Sequence, residues 1–356
     1  MDRLDIAQEQ HLPTEAKAIQ TLVEVLIAQI EKTYPTGIMR RDAHPKQHGL
    51  LQGEFIIEPN LPANLRVGVF SEAKSYPCWI RFSNSGGTGG IHPDKNPDVR
   101  GMGIKLVGVD GEKILEANKD AVTHDFLVAS FPVFIVKNAM DFAVVASGLG
   151  KPDYLKLLNF FLNPFNLHLR ELILLIRSQI KCANLLGQQF WSMTPYLLGE
   201  GQAVKYTAIP RNNVDNTMPE NPTDNFLRDR LRQHLATEDA TYDFCVQLQK
   251  NPYTQPIEDT RIEWKESDSP FIKIATVKIP SQTFESKEQE DYGEDLSFSP
   301  WHALPEHRPL GSINRSRRVV YQAISKYRHQ INGEKRMEPT DMKIFFGDDH
   351  DDDMDD

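Results

Sequence analysis

The sequence predicts an α+β fold in which an antiparallel β-sheet or barrel is combined with helices. Two features of the 356-residue chain support this prediction. Short runs of β-branched and aromatic residues recur along the chain, and clusters of Gly, Pro, Asn and Asp separate them, which is typical of antiparallel strands rather than βαβ units. Two longer stretches, one near each end, have apolar residues at helical spacing.

The first helical stretch runs from about Thr14 to Lys32, within an N-terminal arm that we assign to residues 1–39. Its aliphatic residues recur at intervals of three and four, as on one face of an amphipathic helix. The strand-like runs follow it. They are GEFIIE from Gly53, RVGVF from Arg66, CWIRFS from Cys78, GIKLVGV from Gly103, PVFIV from Pro132, AVKYTAIP from Ala203 and FIKIATVKIP from Phe271.

The most apolar part of the chain lies at residues 154–180, YLKLLNFFLNPFNLHLRELILLIRSQI. One interpretation is a pair of helices that are interrupted at Pro164 and pack on the protein. The other is a peripheral membrane contact, which would also give a lipid substrate an apolar approach. A transmembrane span is disfavoured, because asparagines, a proline and charged residues interrupt the run.

The second helical stretch, GSINRSRRVVYQAISKYRHQI, begins at Gly311, where Ser312 or Asn314 is available as a cap. We predict one domain over residues 1–335 and an acidic, disordered tail over 336–356. Seven aspartates follow Gly347, so most of the net charge of −10 belongs to this tail.

Composition excludes several classes of protein. With 40 basic and 50 acidic residues, the chain is not expected to bind nucleic acid. The three cysteines have no CxxC spacing, which argues against a disulfide framework or a thiolate zinc site, and Cys78 is predicted to be buried in a strand. The first residues lack the apolar region of a secretory signal, so a cytoplasmic location is predicted. The sequence does not indicate an oligomeric state.

The late helix carries a pair of residues with chemical potential. Arg317 and Tyr321 are four residues apart and share a helical face, and Arg328 returns to a similar face two turns later. A neighbouring guanidinium favours the phenolate form of a tyrosine, and tyrosinate is an axial ligand of haem iron. On spacing alone, simple packing of an Arg–Tyr pair remains the alternative.

His44 is the second candidate, in a polar stretch with Arg41, Lys46 and His48. A histidine shuttles protons near neutral pH, although an ordinary surface histidine explains the pattern equally well. A metal site built from His44, His48 and His92 is disfavoured, because the spacing matches no compact ligand pattern. The sequence contains no G-x-S-x-G nucleophile elbow and no P-loop or dinucleotide-binding loop.

Four segments in order resemble the catalase family, and specifically its short catalase-related haem proteins. They are RRDAHPKQHGLLQGEF from Arg40, WIRFSNSGGTGG…NPDVRGMGIKL from Trp79, HDFLVASFPVFIVKNAMDF from His124 and PLGSINRSRRVVYQAISKYR from Pro309. The resemblance extends from about Arg40 to about Ile331. It implies an antiparallel β-barrel of the catalase type, with flanking helices and a buried haem b whose iron is ferric.

The resemblance also implies roles for individual residues. His44 is similar in position to the essential distal histidine, and Ser83 to the serine that holds its ring. Tyr321 would be the iron ligand, and Arg317 the cation that keeps it deprotonated. The remaining matches concern contacts with the haem. They are Arg41, Arg81 and Arg328 with the propionates, and Phe142 against the macrocycle.

Two departures from the family pattern bear on function. The distal asparagine of catalases is replaced by Ala129, with Ser130 beside it, which should weaken dismutation of hydrogen peroxide more than haem binding. The residue before His44 is Ala43, whereas allene oxide synthases of this family have threonine there. We therefore predict a haem peroxidase that acts on hydrogen peroxide or organic hydroperoxides with weak catalase activity. The alternatives are a dehydratase or isomerase of fatty-acid hydroperoxides and a non-enzymatic haem sensor or scavenger.

Overall fold

A computed structural model describes residues 4–86, 90–150, 159–164 and 167–343 and has the predicted architecture. Eight strands close into an antiparallel barrel in the order β5-β4-β3-β2-β1-β9-β8-β7, where β7 pairs back with β5, and β6 extends the sheet beside β7. The strands are β1 (Lys46–Ile57), β2 (Ser75–Asn84), β3 (Arg100–Val107), β4 (Thr123–Ala129), β5 (Phe190–Trp191), β6 (Tyr196–Leu197), β7 (Ala203–Pro210), β8 (Ala240–Leu248) and β9 (Ile272–Ile279).

The barrel is filled by the inward-facing residues of each strand. Phe82 pairs with Met102, and Met102 pairs with Val128, so that these side chains lie side by side in the interior. Because side chains alternate across a strand, the neighbouring row of Ser83, Gly101 and Ala129 faces outward. This outward row is where the candidate site lies.

Six helices with described bounds surround the barrel. They are α1 (Glu15–Thr33), α2 (Ala139–Gly150), α3 (Leu169–Ser178), α4 (Phe226–Leu235), α5 (Lys287–Asp295) and α6 (Ser312–Asn332), and residues 159–162 are also helical. Helix α1 buries Ile19, Leu22 and Leu26 against α2 and α6, as its periodicity predicts. Helix α6 ends at Gly333, whose φ of +72° gives the left-handed cap that favours glycine.

Two of the predicted strands are wrong. In RVGVF, residues Gly68–Phe70 form a 3₁₀ turn, and the ring of His307 packs so closely on Gly68 that a Cβ there would lie 2.3 Å from its Nε2. The PVFIV run is buried but is not a strand, because its backbone pairs with Thr260 in a separate loop. Its apolar residues instead pack beneath α2 and α3.

Ordered contacts continue beyond residue 335. Glu338 is largely buried, its Oε2 lies 2.8 Å from Nζ of the fully buried Lys105, and it also accepts a hydrogen bond from Thr123. Asp125 lies on the other side of Lys105, at 2.8 Å. The acidic run from residue 344 onward lies outside the described residues, so the predicted disorder of the tail stays a prediction. Cys78 is buried, as expected.

Only part of the apolar 154–180 segment is described, because residues 154–158 and 165–166 are outside the described ranges. Helical residues 159–162 are followed by a turn at Pro164 and then by α3, in agreement with an interruption at the proline. Across the described ranges, every helix is too short or too polar to cross a bilayer.

Candidate active site

The site begins on the outer face of the barrel, where His44 lies over the backbone of strand β3. The Nδ1 atom of His44 is 3.0 Å from Oγ of the buried Ser83 on β2. A Cβ on Gly101 would lie only 2.4 Å from the imidazole ring, so the glycine makes room for it. Ser83, Gly101 and Ala129 are directly paired across three strands, and the rigid sheet therefore holds the ring from below.

The backbone of His44 has an uncommon conformation. Its φ is +63°, in the left-handed region that non-glycine residues seldom adopt, and its N–H donates to the carbonyl of Ser85 at 3.0 Å. Asp98 in turn accepts hydrogen bonds from the Ser85 hydroxyl and the Gly86 N–H. Strained residues that the surroundings hold in this way concentrate at functional sites.

The environment of His44 keeps its imidazole neutral. Burial lowers the pKa of His44 to about 4; Asp98 opposes this shift, while Arg81, Arg317 and Arg41 add to it. At neutral pH the ring is therefore uncharged. In the tautomer that donates from Nδ1 to Ser83, Nε2 carries the free lone pair that a general base requires.

Helix α6 brings Arg317 to the ring of Tyr321. Nη2 of Arg317 donates to the Tyr321 hydroxyl at 3.1 Å, and the guanidinium lies 5.1 Å from the centre of the phenol ring. Burial disfavours the charged form of Arg317, but Tyr321 and Tyr196 outweigh this effect and raise its pKa. A permanent cation thus lies at the phenol oxygen, which is the arrangement that favours a phenolate.

Four arginines surround the carboxylate of Glu294 on α5. The shortest nitrogen-to-oxygen distances are 3.8 Å for Arg40, 3.1 Å for Arg41, 3.9 Å for Arg81 and 3.7 Å for Arg328. Three of them are the residues expected at the haem propionates. The structure therefore brings Arg41, Arg81 and Arg328 together, although they come from three distant parts of the chain.

This arginine cluster contains buried guanidinium nitrogens whose hydrogen bonds are not satisfied. Nη2 of Arg81 and Nη1 of Arg41 are buried without a hydrogen-bond partner among the described residues. Burial is the largest cause that lowers the pKa of Arg81, and repulsion from Arg41 adds to it; the same causes lower the pKa of Arg328 to about 10. Asp295 and Glu334 also act on Arg328, but the hydrogen bonds of Arg41 and Arg81 stay incomplete. The residues present therefore fit the two carboxylates of a haem.

Phe142 on α2 connects the two sides of this region. Its ring packs edge-on against Phe134, with 5.2 Å between ring centres. It belongs to the apolar cluster that contains Tyr321 and also to the one that contains Phe160 and Phe161. Phe142 thus lies between these two apolar clusters, and its expected place against the distal side of the macrocycle stays a prediction.

The position of the distal amide is clear in the sheet. Ala129 pairs with Gly101, so its methyl group lies on the same face as His44. Ser130 offers no replacement, because as the next residue it faces away from His44, where its hydroxyl accepts the backbone N–H of Arg100 at 2.8 Å. On the other side of Ala129, its partner in the sheet is the half-buried Trp191.

The histidines considered for a metal site have separate partners. His48 is fully buried with Nε2 at 2.6 Å from Asn84, and His92 lies 2.9 Å from the Gly86 carbonyl. Sequence reasoning missed Gly101, Asp98 and Glu294. Gly101 and Asp98 lie inside a segment already matched to the family, whereas nothing in the local sequence distinguishes Glu294 from other helical glutamates.

Known proteins similar to this chain are catalases. No protein-family model matches the chain. A catalase from Latilactobacillus sakei is 24% identical over 357 residues, which cover 92% of this chain and 70% of that protein.

Solved catalase structures share the fold. A fungal catalase superposes with a TM-score of 0.61 at 17% identity, over 95% of this chain. Catalase A from Saccharomyces cerevisiae gives 0.63 at 16% identity over 99%, and a bacterial catalase gives 0.58 at 16% over 98%. The chain spans 66% of the fungal protein and 80% of the yeast protein. Similarity in sequence along most of the chain and a common barrel thus support the resemblance: the chain is similar to catalases and has the catalase fold.

Proposed function

We propose that this chain is a haem-dependent enzyme that consumes hydroperoxides, mainly as a peroxidase with weak catalase activity. The observation that carries the proposal is the placement of His44, whose imidazole is held by Ser83 over Gly101 and makes no hydrogen bond through Nε2 to the described residues. The relatives that the chain resembles, all of which are catalases, support peroxide chemistry at the coarse level.

The residues present would hold the cofactor at both ends. Tyr321 would bind the iron, with Arg317 as the cation at its oxygen. Arg41, Arg81 and Arg328 would bind the propionates, and Phe142 would pack on the ring. Ferric haem, when bound in this way, supplies the iron that activates an O–O bond.

The proton transfers fall to His44. Its Nε2 accepts the proton of the inner hydroperoxide oxygen and returns it to the outer oxygen as that oxygen leaves. Ser83 fixes the ring through Nδ1 so that Nε2 keeps one direction during both transfers. Because the pKa of His44 is about 4, the base is ready across the whole neutral range.

Ala129, the residue beside His44, and its neighbour Ser130 favour a peroxidase over a catalase. A catalase must orient a second hydrogen peroxide, and an amide beside the histidine does this in the family. Here that place holds the methyl group of Ala129. The Ser130 hydroxyl instead accepts a hydrogen bond from the backbone N–H of Arg100. Larger hydroperoxides and an organic electron donor are therefore the preferred substrates.

A second candidate function is isomerisation or dehydration of fatty-acid hydroperoxides. The exposed aliphatic side chains on and before α3 favour it, because they offer a lipid an apolar approach. The residue before His44 is alanine rather than the threonine of allene oxide synthases, which argues against it. A haem sensor or scavenger is the non-enzymatic alternative, and it would not require His44.

The test combines three variants with three substrates. Tyr321→Phe should abolish or rearrange the ferric tyrosinate spectrum, while His44→Ala should keep haem and lose hydroperoxide consumption. His234→Ala, a change on α4 away from the site, serves as the control. Oxygen release from hydrogen peroxide would indicate a catalase. Formation of the alcohol from a small organic hydroperoxide, together with an oxidised dye, would indicate a peroxidase. Epoxide or ketol products from a fatty-acid hydroperoxide would indicate an isomerase. Normal turnover by His44→Ala would refute the proposal.

A further inference from the structure

We propose that the outer surface of helix α3 and the residues before it bind the anionic face of a lipid bilayer. We call this the α3 surface and define it by five side chains: Leu162, Leu167, Leu169, Ile173 and Ile176. Binding to the bilayer does not depend on haem. The suggestion that the bilayer delivers the substrate rests on the proposed function.

The α3 surface is an unusual concentration of exposed aliphatic groups. Each of its five side chains is between 46% and 64% exposed. Thirteen large apolar side chains are exposed in the described part of the chain, and five of them fall within this stretch of fifteen residues. Single exposed apolar residues are ordinary, but a contiguous group marks an interaction surface.

The opposite face of α3 packs firmly on the protein, so the exposed face stays on the outside. Leu174 and Ser178 are buried, and Leu172 and Leu175 pack on the cluster of Phe160 and Phe161. Helix α3 therefore has apolar side chains on its inner face and on its outer face. One side is used in the core, and the other presents aliphatic side chains to the surroundings.

Charge identifies the partner as an anionic surface. Arg170 and Arg177 on α3 and Lys181 after it are all exposed. The only acidic residue of the helix, Glu171, is turned inward, where its carboxylate pairs with Arg261 and lies 2.9 Å from His168. The outward face is thus aliphatic and cationic, which is the composition of helices that lie in the interface of a bilayer containing anionic lipid.

A second copy of the chain is a poorer partner. A twofold interface brings the same patch of both copies together, so Arg170 and Arg177 would face each other. No exposed carboxylate on α3 would compensate for this repulsion, because Glu171 is buried and paired. Since the described helices are too short or too polar to span a bilayer, α3 would lie flat on its surface.

The α3 surface is connected to the candidate site by continuous apolar packing. Leu172 and Leu175 contact the cluster that includes Phe160, Phe161 and Phe142. Phe142 also belongs to the cluster of Tyr321. The α3 surface thus lies over the apolar cluster that contains Phe142, which is one cluster away from Tyr321, so the substrate class we infer is a lipid-derived hydroperoxide.

The test measures binding of the full-length protein to vesicles, with and without haem. Vesicles of phosphatidylcholine alone are compared with vesicles of equal parts phosphatidylcholine and phosphatidylglycerol. The double variant Ile173→Glu/Ile176→Glu is the main probe, and Ile331→Glu, which changes an isoleucine of similar exposure on α6, is the matched control.

We expect binding to the anionic vesicles that weakens as salt is added. The double variant should bind at least about 30-fold more weakly, because two half-exposed isoleucines lose their burial in the acyl layer. The control should bind like the wild type.

Three outcomes would overturn the inference: absence of binding by the wild type, equal binding by the double variant, or conversion of a wild-type dimer to a monomer by that variant. Vesicle binding without any hydroperoxide turnover would instead refute the proposed function and leave the membrane surface standing.

Discussion

The substitution Glu294→Gln tests whether one carboxylate holds the arginine cluster together. The change keeps the shape of the side chain and removes its charge. Each of the four guanidiniums lies between 3.1 and 3.9 Å from the carboxylate, which corresponds to an attraction of about 4 to 5 kcal/mol apiece at an effective dielectric constant of 20. Repulsion among the arginines and the cost of burying them offset most of this attraction.

The net effect is smaller but measurable. Breaking a buried ion pair from one side costs about 3 to 5 kcal/mol, and we take about 3 kcal/mol because the Glu294 side chain keeps 13% of its exposure. For a chain of 356 residues, this loss corresponds to a decrease in Tm of about 4 °C. The decrease should be largest in protein without haem and should shrink when haem supplies two carboxylates.

The assay is thermal unfolding followed by circular dichroism, on protein prepared with and without haem. The matched control is Glu288→Gln, on the same helix, where the carboxylate is 61% exposed and pairs with Lys343 at the surface. A Tm of Glu294→Gln within about 1 °C of the control would refute the reasoning. So would a decrease that haem leaves unchanged, because the propionates would then not share this cluster.

Four further outcomes are expected. Gly101→Ala should retain haem but lose at least about 100-fold in hydroperoxide turnover, since its Cβ would lie 2.4 Å from the His44 ring; unchanged kinetics would contradict that placement. Ala129→Asn should raise oxygen release from hydrogen peroxide by about 10-fold, measured with an oxygen electrode, and a smaller rate would show that the amide is not the missing element. The value of kcat/KM should be constant above about pH 6 and should fall as pH drops towards 4, because protonated His44 cannot act as a base. A lowered pKa at a second buried histidine, His48, makes the stability of the fold depend on pH. Because burial depresses the pKa of His48 from 6.5 to about 4, the folded state binds fewer protons than the unfolded state between these values, so stability falls as pH falls through this window.

The sequence predicts the elements whose patterns are dictated by simple burial. Helix α1 and strand β9 follow their apolar periodicity closely, since each has one face against a core, whereas β7 is buried on both faces from Ala203 to Ala208. The RVGVF and PVFIV runs have equally strong strand composition but lie outside the sheet. In the first, the close contact of Gly68 with His307 decides the conformation, and this contact joins residues that are far apart in sequence.

The candidate site divides in the same way. The pair of Arg317 and Tyr321 is a local helical spacing, and the structure shows the contact that the spacing predicts. The contact of His44 with Gly101 and the grouping of four arginines around Glu294 depend on long-range contacts. These contacts are the pairing of β1, β2 and β3 and the packing of the last two helices. Such contacts between distant parts of the chain leave no signature in a single sequence. The resemblance to a family supplied them in part.

The position of the two key residues along the chain has a consequence for folding. His44 precedes the first strand and Tyr321 follows the last one, so a site that includes both residues exists only when the barrel between them has closed. Pairing over such a long separation is slow, and its entropic cost falls late in folding. A cofactor that contacts both residues would bind only the completed barrel and would shift the equilibrium away from half-folded chains. Cofactor binding would then stabilise only completely folded chains. Chains truncated within either terminal part would not gain this stabilisation and would stay open to proteolysis.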